Sequence, residues 1–234
     1  MAWAFQSITA VGTQSTNSTT ITATLPATYS SGSLLVLFVA HDTSSTATST
    51  QSYTNIVSNG AVSGLLFAAV WHKIATSGSE TAPTLTFVSP VKAQYFMVAY
   101  SDVASFDAVS TLATTSCPTG TTNCTTGTLT TTASNDLILS FFAGLGGPGG
   151  GSPTLTYGTP AGMTSRLNQA SIGPTVVNTQ AALLLADKNQ IATGTSTADT
   201  SAAVKVGAST TTSGQYQIAF KQKQSNGNFF FLMG

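Results

Sequence analysis

"KIATSGSETAPTLTFV", residues 73–88, returns half a chain later as "QIATGTSTADTSAAVKV", residues 190–206. In each copy a polar Gly-bearing turn leads into a short strand-like run of Thr and apolar residues. Alternation with period two places one set of side chains on one face of a strand. The stretches on either side match as well. "TTITATLPATYSSGSLLVLFVA" (19–40) parallels "TGTLTTTASNDLILSFFAG" (126–144). "GLLFAAVWH" (64–72) parallels "QAALLLADKN" (180–189), and "QYFMVAYSDV" (94–103) parallels "QYQIAFKQK" (215–223). The matched segments keep one order, so the chain carries one strand meander twice.

Short runs rich in β-branched and aromatic residues, bounded by Gly, Pro, Asn or Ser, read as strands. They fall at 3–9, 19–25, 33–41, 53–58, 64–75, 83–88 and 94–101 in the first part. In the second they fall at 126–132, 136–143, 154–157, 163–169, 180–187, 202–206 and 215–222. The run 34–40 is apolar at every position, which predicts a central strand covered on both faces. Only 180–187 also admits a helix. The predicted fold is all-β: a single jelly-roll-like antiparallel β-sandwich with an internal pseudo-duplication. It spans 1–224, with halves at about 19–101 and 126–222, and a hydrophobic C-terminal tail at 225–234. Two tandem sandwiches are the alternative. The joining segment carries Val103, Phe106, Val109 and Leu112, which would pack, and this favours one sandwich. The N-terminal strand has no counterpart in the repeat and is expected to complete a shared sheet.

Charged residues make up only 6 % of the 234 residues, with seven basic and seven acidic side chains, while 41 % are hydrophobic. That is enough apolar material for a core. No basic stripe is present for nucleic acid and no polybasic patch for a membrane. The start, "MAWAFQSITAVGTQ", lacks the charged and long apolar regions of a secretory signal. The expectation is synthesis in a cytoplasm without a Sec signal. The surface must be covered by Thr, Ser, Asn, Gln and Gly, which suits a subunit whose faces meet neighbours.

The patterns "LPATYSSGSLLVLFVA" (25–40), "FAAVWHKIATSGSETAPTLTF" (67–87), "MVAYSDVASFDA" (97–108) and "TTTASNDLILSFFA" (130–143) resemble a group of phage-encoded and bacterial-surface β-sandwich proteins. The likeness covers roughly residues 19–222. The chain departs from it in lacking a Gly-Trp pair in the 42–58 loop, and in having Ser101-Asp102 at a turn. The resemblance implies a virion structural or adhesive module and no catalytic residues. The expected role is a non-enzymatic phage virion structural protein, a capsid decoration or head-fibre-like subunit. Its expected partners are other virion proteins and itself, with a trimer as the oligomer. The alternative is a carbohydrate-binding or adhesive module of a tail fibre or cell surface, with Trp3, Tyr53 and Tyr157 stacking on a host-surface glycan.

Other candidates follow from single residue types. Cys117 and Cys124 flank one short polar segment and are either a disulfide or two thiols. His41 and His72 end apolar strands and read as rim histidines rather than a metal pair. No ordered nucleophile signal accompanies Asp42 beside His41. Asp102 and Asp107 could share a calcium ion, but turn capping suits Asp102 better. No catalytic, cofactor or metal residue is assigned. "GLGGPGGGSP" (144–153) lacks the Lys of a phosphate loop and reads as a long loop. The tail carries Phe229, Phe230, Phe231, Leu232 and Met233, and the expectation is that it docks into another subunit.

Overall fold

The computed structural model describes residues 2–63, 66–145, 154–171, 181–190, 192–196, 198–206 and 210–224. The first part of the chain forms β1 (Ala4–Ile8), β2 (Gly12–Thr22), β3 (Leu34–His41), β4 (Ala47–Ser49), β5 (Thr54–Ser63), β6 (Leu66–Ile74) and β7 (Thr84–Ser101). The middle forms β8 (Val103–Val109), β9 (Ala113–Cys117), β10 (Gly120–Thr125), β11 (Leu129–Thr131) and β12 (Asp136–Gly144). The last part forms β13 (Thr154–Tyr157), β14 (Thr164–Gln169), β15 (Ala182–Gln190), β16 (Gly194–Ser196), β17 (Thr200–Val206) and β18 (Thr211–Gln222). Every ladder is antiparallel, and no helix occurs among the described residues.

Two large sheets dominate. One runs β1-β7-β3-β6-β5, the other β14-β15-β12-β18-β8. Read from the opposite edge, the second is β8-β18-β12-β15-β14. Its central strand β12 lies between β15 and β18, as β3 lies between β6 and β7. Among the described residues, every ladder of residues 4–101 stays within that part of the chain, and every ladder of residues 103–222 within the other. A jelly-roll weave, in which strands pass from sheet to sheet, is therefore not the observed arrangement. The chain crosses once, at Asp102, which takes a left-handed φ of 56° between β7 and β8.

The largest core lies between the two sheets. Leu34, Val36, Phe38 and Ala40 of β3 face Leu137, Leu139, Phe141 and Ala143 of β12. Phe38 and Phe141 meet with ring centroids 5.0 Å apart, and Phe38 stacks on Phe96 at 5.1 Å. The alternate residues of each strand point outward into a second core. For the first sheet this is Leu35, Leu37 and Val39 beneath Ile21, Leu85 and Phe87. For the second it is Phe142, Ala182 and Leu184 beneath Leu155, Tyr157 and Ala203, with Ile138 under Leu129. The central strands are thus buried at every position, which is why their sequences are continuously apolar.

The covers that close the outer cores differ in origin. In the first half the 18-residue β7 serves two layers. Its C-terminal part pairs with β3, while its N-terminal part pairs with β2 and β4 over the outer core. Pro90 lies between the two parts, and β2 opposite has register shifts between Gln14 and Thr20. Bulges and a proline bend a strand. In the second half the same duties fall to two strands. β17 makes the cover with β10 and β13, and β18 joins the main sheet.

Several sequence expectations are corrected here. The runs at 83–88 and 94–101 are one strand. Residues 182–187 lie in β15, so the helical option is excluded there. The joining segment forms β8, β9 and β10, and Val103, Phe106, Val109 and Leu112 pack in the core between the sheets. The N-terminal strand does not bridge a shared sheet: β1 pairs with β7, and β8 takes the corresponding edge beside β18.

Candidate functional site

Of the three aromatics expected to stack on sugar, two are core residues. Tyr157 is 3 % exposed and shares a 2.6 Å hydrogen bond with Ser213. Tyr53 is 7 % exposed and packs in the outer core of the first half. Trp3 is half-buried, edge-on to Tyr100, and donates from Nε1 to Asn189 Oδ1 at 3.3 Å. The alternation that marks a strand cannot reveal that its outward face is roofed by another layer, and this hid Tyr53 and Tyr157. The tail at Phe229, Phe230, Phe231, Leu232 and Met233 and the glycine loop at 146–153 lie outside the described residues.

The histidines sit at opposite ends and on opposite faces of the first sheet. His41 packs on Phe67 and Phe87, and burial pushes its pKa down to about 4. His72 packs against Phe106 and Phe220, and burial again lowers its pKa. Asp42 caps the turn after β3, accepting from Lys92 N at 2.8 Å. Asp102 accepts from the Ser101 hydroxyl at 3.1 Å, whereas Asp107 turns to Thr132. No group of three His, Cys, Asp or Glu able to hold a metal occurs among the described residues.

Four polar clusters went unseen in the sequence: three join residues far apart in the chain, and one, Glu80 with Lys73, Thr76 and Ser77, lies at the turn after β6. Asp187, almost fully buried, accepts from the Tyr100 hydroxyl at 2.7 Å and from Arg166 Nε at 2.6 Å. The Arg166 guanidinium also lies 4.3 Å from the Phe5 ring centroid. Asp199 pairs with Lys188 and accepts from Ser140 and Gln217, each at 2.6 Å. Glu80 pairs with Lys73 at 2.5 Å; that contact and the hydrogen bonds from Thr76 and Ser77 hold its carboxyl down to about 2. Lastly, Asp136 is fully buried at the start of β12 beside Asp107. Burial and the neighbouring carboxyl push Asp136 up to about 7, so the pair holds one proton below neutral pH.

These clusters are internal joints. Arg166–Asp187–Tyr100 ties the two sheets together, and Lys188–Asp199 ties the second sheet to its cover. The polar hollow lined by Ser30, Ser31, Gly32, Ser33, Ser101, Asp102 and Lys223 is small, about 90 Å³. That is room for a few waters, well below a typical ligand pocket.

The two cover layers are the distinctive surfaces. Across the first, Thr20, Thr86 and Thr48 form a row over three strands, and Thr22 and Thr84 share a 3.0 Å hydroxyl contact in the next. Across the second, Thr125 and Thr200 share a like contact at 2.9 Å, and Thr121, Val204 and Thr156 form a row. Val88, Val204 and Val206 stand exposed at 79 %, 41 % and 58 %. The outward positions of the cover strands hold no charged residue. Lys205, the one cation in β17, points inward and is 1 % exposed. Because each cover closes the outer face of its own sheet, the two uncharged surfaces lie on opposite sides of the molecule.

Comparison of the chain with protein-family models, curated proteins and solved structures finds no match.

Proposed function

We propose that this protein is a non-enzymatic structural subunit of a phage particle, working by face-to-face contact with its neighbours. The observation that carries this reading is the pair of uncharged Thr- and Val-bearing surfaces on opposite sides of the molecule. Such a surface costs little to desolvate, because hydroxyls already partnered across strands demand less from water than charges do. It also offers little electrostatic resistance to association. The spaced patterns shared with virion β-sandwich proteins support the same assignment, and decoration of a capsid or a head fibre is its setting. The sandwich itself is read as a duplicated unit: two copies of one meander, each with its own sheet and cover, joined back to back. A closed trimer is the proposed assembly.

Light scattering on the full-length chain and on a Thr86→Lys/Val204→Lys variant tests the reading. The expected result is a trimer for the unmodified chain and a monomer with an unchanged melting temperature for the variant. A full-length chain that stays monomeric at high concentration, or a variant of equal mass, overturns it. A third chain ending at Gln224 separates the contribution of the tail. Loss of the trimer in that chain alone assigns assembly to the tail instead of the faces.

A further inference from the structure

Cys117 and Cys124 end up as neighbours inside the outer core of the second half. Both are fully buried, and their sulfurs are 3.6 Å apart. Cys117 closes β9, paired with Thr211 of β18 in the main sheet; Cys124 lies in β10, paired with Ser201 of β17 in the cover. The two sulfurs therefore span the joint between two layers. In the first half one continuous β2 makes that same passage from main sheet to cover. The position corresponding to Cys124 is held there by Ile21, one residue before the Thr22–Thr84 hydroxyl pair, as Cys124 precedes Thr125–Thr200. In the second half the passage is broken after Cys117 by Pro118 and Thr119, so ladder bonds no longer carry the strand across.

We propose that Cys117 and Cys124 form a disulfide when the protein meets a small-molecule disulfide oxidant, and that the bond replaces the missing strand continuity. A disulfide holds its sulfurs about 2.05 Å apart, so closure asks for an approach of about 1.5 Å. Side-chain rotation of two residues in one short loop supplies that. The Cys124 thiolate attacks one sulfur of the oxidant and releases the first small thiolate. Cys117 then attacks the Cys124 sulfur of the mixed disulfide and releases the second. Two protein thiols are oxidised, one small disulfide is reduced, and the two thiol protons pass to the two departing thiolates. The hydrogen bond from the Cys117 thiol favours the thiolate at Cys124, which suits it to the first attack. The inference is independent of the assembly reading, since it concerns a joint inside one chain.

The test uses the full-length reduced protein, incubated with oxidised glutathione, denatured in acid and alkylated with N-ethylmaleimide. The expected product carries no alkyl group and no glutathione, and its mass is two hydrogens below that of the reduced chain. Two alkyl groups, or a lasting glutathione adduct, overturn the proposal. Refolding the denatured, reduced chain in a glutathione redox buffer removes any barrier of access, and free thiols after that step overturn it equally. The oxidised protein should melt about 5–10 °C above the reduced form, as closure of a short loop in a domain of this size implies. Cys124→Ser in the same buffer should show no such rise. Equal melting of oxidised and reduced wild type sinks the staple.

Discussion

Two corners of the sandwich occupy the same place in their respective sheets and are filled by opposite chemistry. In one, Phe106 of β8, Phe220 of β18 and His72 of β6 meet ring against ring, with Ile56 beside them at a bulge of β5. In the other, Phe5 of β1, Tyr100 of β7 and Asp187 of β15 meet Arg166 at the matching bulge of β14. The backbone register is the same: Val36 pairs with His72 as Leu139 pairs with Asp187. One backbone pattern therefore accepts an apolar cluster or an ion pair, provided each is complete. The aromatic corner gains by area and ring contact, less the cost of His72 Nδ1, which is buried without a hydrogen-bond partner. The ionic corner takes a nearly enclosed carboxylate out of water and offsets this with two strong hydrogen bonds.

The largest effect should come from breaking the ionic corner halfway. Asp187→Ala leaves the Tyr100 hydroxyl buried and Arg166 without its anion, and should cost about 3–5 kcal/mol of unfolding free energy. Copying the apolar corner, with Arg166→Ile, Asp187→Leu and Tyr100→Phe together, should restore most of it. Urea denaturation of both variants decides the matter; a triple variant no more stable than the single one would show that the corners are not equivalent. His72→Leu, in the apolar corner, should change stability by less than about 1.5 kcal/mol.

A middle-sized effect follows from Asp136. Its counterpart in the first half, Ser33, is a buried hydroxyl held in the Ser30–Ser33 turn, so only the second half carries a buried acid there. A carboxyl raised from 3.8 to about 7 binds its proton more tightly folded than unfolded. Its contribution is thus full below pH 4 and lost as pH rises through 7. Three groups act on it: Asp107 from β8, and Lys221 and the Gln222 backbone from β18; Thr132 from the preceding loop holds Asp107. The stability that wild type holds over Asp136→Asn, read from paired melting curves, should fall as pH rises from 4 to 8, because His41 and His72, lowered by burial, contribute the opposite trend equally to both chains. A difference that stays flat over this window would refute the shared proton.

The smallest effect compares the two covers. Thr22→Val and Thr125→Val each remove one hydroxyl of a cross-strand pair on an exposed face, and each should cost about 0.2–1 kcal/mol. A loss well above that at Thr125 alone would mean that the second cover, with its interrupted strand, depends on that pair in a way the first does not.

What the sequence revealed and what it hid divide along a physical line. The strands at 34–40 and 136–143 were legible because each is central in its sheet and buried on both faces, so that its apolar run carries its own burial. The internal edge strand β8 was less legible: its burial pattern is mostly intermediate, and its partner β18 is over a hundred residues away. Asp136 opens the predicted strand 136–143 directly after a polar stretch, and only the contact with Asp107 across the sheet shows that it is enclosed. Arg166, Asp187 and Tyr100 are unremarkable singly. Their meeting depends on how two independently patterned sheets are turned against each other, which period-two alternation does not encode.

That no described ladder bond joins the two halves has a kinetic consequence. Strand pairing that stays within roughly a hundred residues closes shorter loops than pairing across the whole chain, and shorter closure is faster. Each half can zip its own hydrogen bonds before Phe38 ever meets Phe141. Docking of the inner faces is then the late step, and it happens once, about the hinge at Asp102. Refolding of a Trp71→Phe chain followed by hydrogen exchange should show amides of β3 and β12 protected before fluorescence reports Trp3 settling against Asn189 of the other half; simultaneous signals would mean that the halves do not fold before they dock. The molecule would then reach its native state as a pair of partners bound by a tether, with the tether setting their effective concentration.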